Sequence, residues 1–90
     1  MDRITAAEVF VTIVDRGSMI AAAETLEMSR AMVTRYLAQM EQWAGARLLH
    51  RTTRKLSLTD AGERTLERCR QMLALAGEID LVEEGQSDEL

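Results

Sequence analysis

Ninety residues, 47% of them hydrophobic, can bury one small core and are too apolar for a disordered chain. With no proline and only three aromatic side chains, that core has to come from Leu, Ile, Val, Met and Ala, which favours helices and argues against an all-β fold. The net charge of −4 is unevenly spread: residues 1–28 carry −3, residues 59–90 carry −6, and residues 29–58 carry +5, with Arg30, Arg35, Arg47, Arg51, Arg54 and Lys55 against Glu41 alone. The middle third is therefore the candidate surface for a polyanion.

The stretch "TAAEVFVTIVDRG" predicts a first helix. Thr5 and Glu8 have capping-box spacing, with a start a turn earlier near Asp2 as the alternative. Val9, Phe10, Ile13 and Val14 make its apolar stripe, and Gly17 suits the C-terminal cap. Ser18 then caps a short second helix, "MIAAAETLE", whose apolar face of Ala22, Ala23 and Leu26 lets another helix approach closely.

After a break at Glu27 and Met28, Ser29 caps a third helix that runs to Gly45. At about 100° per residue, Val33, Leu37, Met40 and Ala44 share the inward face. The outward face collects Ala31, Arg35, Ala38 and Gln42, with Met32 and Thr34 on its shoulders and no acidic residue.

"RLLHR" and "KLSL" have strand character, which makes "TTRK" the tip of a hairpin. Thr59 caps a long last helix with two apolar stripes, Leu66, Cys69, Leu73, Ala76 and Met72, Leu75, Ile79, Val82. Two stripes imply two partners, the helix's own domain and a second copy of the chain. The last residues, 86–90, read as a flexible tail.

Two short helices separated by a three-residue break form a helix-turn-helix candidate. The third helix is flat and basic outside, so it can enter a major groove about 12 Å wide, where Arg35 reaches a base edge or a phosphate. Its N-terminus at Ser29 offers free backbone N–H groups to a phosphate. The Arg-rich hairpin behind it can act as a wing on the backbone or in the minor groove.

The order "FVTIVDRGSMIAAAETLEMSRAMVTRYLAQMEQWAGARLLHRTTRKLSLTDAG" resembles the N-terminal winged helix-turn-helix domain of LysR-type transcriptional regulators, above all in "GARLLHRTTRKLSLTDAG". The resemblance covers roughly residues 2–80. It implies a mainly α fold, with a three-helix core, a two-stranded β wing and a long C-terminal linker and dimerisation helix. The implied division is 1–58 for the DNA-binding domain, 59–85 for the linker helix and 86–90 for the tail, with the family's larger effector-binding domain absent. The chain is then either an excised fragment or a separate short form.

Carried over by position, the implied DNA-binding residues are Ser18, Ser29, Arg30, Ala31, Met32, Thr34 and Arg35, with Arg51, Thr52, Thr53 and Arg54 in the wing. The implied function is a sequence-specific transcriptional regulator that binds double-stranded DNA at a roughly palindromic operator as a homodimer. Leu66, Cys69, Leu73 and Ala76 are the expected dimer face. Several positions depart from the family's usual pattern: Arg30, Ala31, Thr34 and Tyr36 on the reading helix, Glu27 where glycine is frequent, and Ala44 where leucine is common, with Trp43 as the candidate for the missing bulk. The base preference is therefore not transferable.

One Cys and one His are too few for an internal disulfide or a zinc site, so no metal or cofactor is expected and the setting reads as reducing and cytoplasmic. No apolar run approaches the roughly 20 residues that cross a bilayer, so no membrane partner is expected either. No nucleophile, base and orienting group recur at an enzyme's spacing. No small-molecule effector is expected for this chain alone. Tyr36 and Trp43 read as core-edge packing, His50 as a surface strand residue and Cys69 as a small hydrophobe. The rival reading is a protein-interaction or dimerisation module that has lost or modulates DNA binding.

Overall fold

The computed structural model describes residues 2–51 and 56–89, without the side chains of Arg51 and residues 80–89. Thr52, Thr53, Arg54 and Lys55, which make the expected hairpin tip, lie outside the described residues.

Four helices and one hairpin follow in the expected order: α1 (Arg3–Arg16), α2 (Met19–Leu26), α3 (Arg30–Ala44), β1 (Leu49–Arg51), β2 (Leu56–Leu58) and α4 (Asp60–Glu89). The fold is thus mainly α with a two-stranded wing. α1 begins at the earlier of its two candidate starts. Asp2 is the N-cap, and both the N–H and the hydroxyl of Thr5 donate to its carboxylate, so Thr5 belongs to the first turn and caps nothing. Those bonds, the backbone N–H first, hold the Asp2 carboxyl below its usual range.

Gly17 ends α1 in the left-handed region at φ 79°, with its N–H on the Ile13 carbonyl at 2.9 Å. Ser18 caps α2 through Ala21 N–H at 3.0 Å. α2 closes on Glu27 at φ 55°, in left-handed backbone that favours glycine, and the Met28 N–H returns to the Ala23 carbonyl at 3.0 Å.

α1 lies at the centre and packs against α2, α3 and α4. Ala6, Ala7, Val9, Phe10 and Ile13 are fully buried at that junction, against Ala22 and Ala23 of α2 and Val33, Leu37 and Met40 of α3. The small face of α2 is what brings its axis close to its neighbours.

The wing pairs antiparallel, Leu49 with Leu58 and Arg51 with Leu56, and Leu48 and Leu49 are buried beneath it. α4 starts where expected, with Thr59 accepting from Gly62 N–H at 2.9 Å. Its 30 residues, roughly 45 Å at 1.5 Å per residue, extend past the expected end at 85. The backbone of residues 86–89 continues the helix, because neither proline nor a left-handed cap interrupts its hydrogen bonding.

Candidate nucleic-acid interface

α3 is capped by Ser29, whose hydroxyl accepts from Met32 N–H at 3.1 Å. The cap leaves the other first-turn N–H groups facing out of the helix end. Arg30, Ala31, Thr34, Arg35, Ala38 and Gln42 are exposed, Met32 is half-buried on the shoulder, and Val33, Leu37 and Met40 hold the opposite side in the core. The helix therefore presents a flat ridge with two arginines and two alanines, narrow enough to enter a groove.

Ser18, at the start of α2, is half-buried and committed to its cap. Of the expected wing residues, only the Arg51 backbone is described, paired with Leu56.

The charge of this surface is unspent. Among the described residues one ion pair is present, Arg70 to Asp15 at 2.7 Å, joining α4 to α1. Arg30, Arg35 and Arg47 have no carboxylate partner there, so their charge remains available to an anion. Glu41, the only acid of the basic block, accepts the Leu48 N–H at 2.9 Å through Oε2 and is held at the wing root. The same root is fixed from α4: the Thr59 hydroxyl donates to the Arg47 carbonyl at 2.6 Å and its N–H to the Leu48 carbonyl at 3.0 Å. Gly62 lies so close that a Cβ there would run into the Leu48 carbonyl oxygen.

Residue-type reasoning missed Glu41 and Gly62 as positioners of the wing. The signal for the first was its isolation among six basic residues; the second carries no local signal, because the approach is between distant segments.

Three expectations change. Ala44, placed on the inward face, is exposed at the end of α3 beside an open groove toward α4, because a methyl group is too short to reach the facing helix. Trp43 lines that space without filling it: the residue is 42% exposed, and the Arg3 guanidinium stands 4.7 Å above the centroid of its ring, so the cation draws it toward α1.

The stripe expected to meet a second copy packs instead within the chain. Cys69 is 3% exposed, and Leu66 and Leu73 lie partly buried against the same core, because this face of α4 covers the bundle. Burial raises the Cys69 thiol above its usual pKa, which keeps it neutral. Ala76 is half-buried. Leu75 and Ile79, one turn apart on the second stripe, are the outward pair at 62% and 64% exposure.

Comparison with known proteins agrees with this geometry. The profile of the bacterial regulatory helix-turn-helix protein family, lysR family, matches residues 4–63. An HTH-type transcriptional repressor of Pseudomonas aeruginosa is 40% identical over 80 residues, 89% of this chain and 25% of that protein. The HTH-type transcriptional regulator CrgA of Neisseria meningitidis is 43% identical over 65 residues, 72% of this chain and 22% of the relative. The chain thus spans about a quarter of the length of these curated relatives.

Among solved structures, the CbnR DNA-binding domain in complex with DNA superposes with a TM-score of 0.85 at 32% identity, over 97% of this chain and 99% of that one. Full-length CbnR, a LysR family transcriptional regulator, gives 0.84 at 33% identity, over 93% of this chain and 29% of that chain. The chain belongs to the lysR family of bacterial regulatory helix-turn-helix proteins, and its winged helix is a DNA-binding domain of that family.

Proposed function

We propose that this chain is the operator-reading part of a transcriptional regulator and works as a homodimer. Each subunit places α3 in a major groove and its wing, residues 50–55, on the minor groove or backbone. Arg35 reads a base edge; Ser29, Arg30, Ala31, Met32 and Thr34 set the docking of the helix, and Ser18 presents the start of α2 to the backbone. Arg51, Thr52, Thr53 and Arg54 hold the wing to the sugar-phosphate chain.

Residues 1–58 form the reading unit and the helix from 59 links two subunits. Twofold symmetry then requires two half-sites about one helical turn, or a multiple, apart. The function places the protein in the cytoplasm with the chromosome.

The observation that carries this reading is the exposed, unpaired basic ridge of α3, on a fold matching a domain solved with DNA over nearly its full length. Footprinting combined with stoichiometry tests it. Two copies protecting paired half-sites, on top of a salt-dependent shift of random duplex, is the expected result. A stable dimer that shifts no duplex at low salt would point instead to an interaction module; one copy saturating an asymmetric site would remove the symmetric assembly.

A further inference from the structure

Between the end of α3 and the first half of α4 lies an open groove of about 260 Å³. It is lined by Met40, Trp43, Ala44, Cys69 and Met72 together with Thr65 and Arg68, and its surface is almost wholly apolar. A second, more polar hollow of about 260 Å³ shares Ala44, Thr65 and Arg68 with the first and adds Ala46, Ala61 and Arg64, so two arginines one turn apart line it. Among the described residues no acidic side chain lines either space. Neither arginine is in an ion pair among the described residues.

We propose that this groove binds a small amphipathic anion, a compact apolar body carrying one carboxylate, whose body fills the space beside Ala44 and whose charge extends into the adjoining hollow lined by Arg64 and Arg68. The sequence alone gave no reason to expect a small-molecule effector for this chain; the space left by Ala44 and the two uncommitted guanidinium groups supply one. The volume suits a compact cage or one or two rings, being larger than the roughly 150 Å³ cavity that holds benzene in an apolar core. The neutral Cys69 thiol keeps the floor of the groove uncharged. A planar guanidinium donates paired hydrogen bonds to a carboxylate, which gives the site its preference for an acid.

Trp43, the only tryptophan of the chain, lines the groove and reports its occupancy by fluorescence. The 90-residue chain is titrated with adamantane-1-carboxylate and with the neutral adamantane-1-methanol. The expected result is a saturable shift of Trp43 emission by the acid, with the alcohol about tenfold weaker. Ala44→Leu fills the groove and abolishes the shift by both probes, with the circular dichroism spectrum unchanged. Arg64→Gln with Arg68→Gln equalises the two probes, which a merely structural role would not do.

No saturable shift up to the solubility of the acid, equal binding of both probes by the unaltered chain, or binding indifferent to Ala44→Leu would each overturn the proposal. So would loss of binding as protein concentration rises and the chain self-associates, which would make a second copy the occupant.

Discussion

Arg35 and Glu27 do opposite things with a single side chain. Arg35 is exposed on the ridge of α3 with no carboxylate partner among the described residues, so its removal leaves the fold alone. Arg35→Ala should weaken operator binding by about 1–3 kcal/mol and random duplex by less, as measured by competition at fixed salt. Equal losses on both would make it a phosphate contact. Glu27 stores strain: its φ of 55° is a conformation in which a Cβ crowds the carbonyl. Glu27→Gly should raise unfolding free energy by up to about 1 kcal/mol in urea titration, with no change in DNA affinity. A loss of stability would mean that the greater freedom of glycine in the unfolded chain outweighs the relieved strain.

At the scale of elements, the wing is held at its root from both sides. The Glu41 carboxylate meets the Leu48 N–H from α3, while Thr59 and the bare Cα of Gly62 meet Arg47 and Leu48 from α4. Gly62→Ala must push backbone against backbone, an overpacking of about 1–3 kcal/mol. Because the displaced strand carries the wing, salt-dependent DNA binding should fall along with the melting temperature, whereas a purely local cost would lower melting alone.

The sequence reveals this region unevenly. Helix boundaries at Gly17, Ser18, Ser29, Gly45 and Thr59 were legible because capping residues act within a turn of where they sit. The outward face of α3 was legible for the same reason, since helical periodicity is local. The place of Ala44 and the crowding at Gly62 were not, because both depend on how far away another segment lies, which no local pattern records. Trp43 is a third miss: its ring is turned toward Arg3, a residue 40 positions earlier that periodicity never pairs with it.

At the scale of the whole molecule, the proposed homodimer would have α4 set the spacing of its two reading heads, and the two stripes of that helix differ in exposure. The stripe of Leu66, Cys69 and Leu73 is engaged in the bundle, so altering it changes folding before it changes assembly. Leu75 and Ile79 are exposed and can be changed without opening the core. Leu75→Glu with Ile79→Glu should therefore leave the melting of the single subunit near that of the unaltered chain and weaken self-association. Burying a large aliphatic side chain is worth about 1.5–3 kcal/mol, so losing two on each subunit, four in the dimer, should cost at least about 6 kcal/mol, on the order of ten-thousandfold in the dimer dissociation constant.

Sedimentation equilibrium measures that change directly, and the operator reports it again. A protein whose two heads are no longer joined should bind paired half-sites no better than two independent single ones. Cys69→Ser is the counterpart: it puts a hydroxyl into a buried apolar position, so it should lower stability while leaving the association constant of the folded chain unchanged. If Cys69→Ser separated the subunits and the paired glutamates did not, the inner stripe would have to be the contact between copies, and α4 would have to swing away from its own bundle to make it.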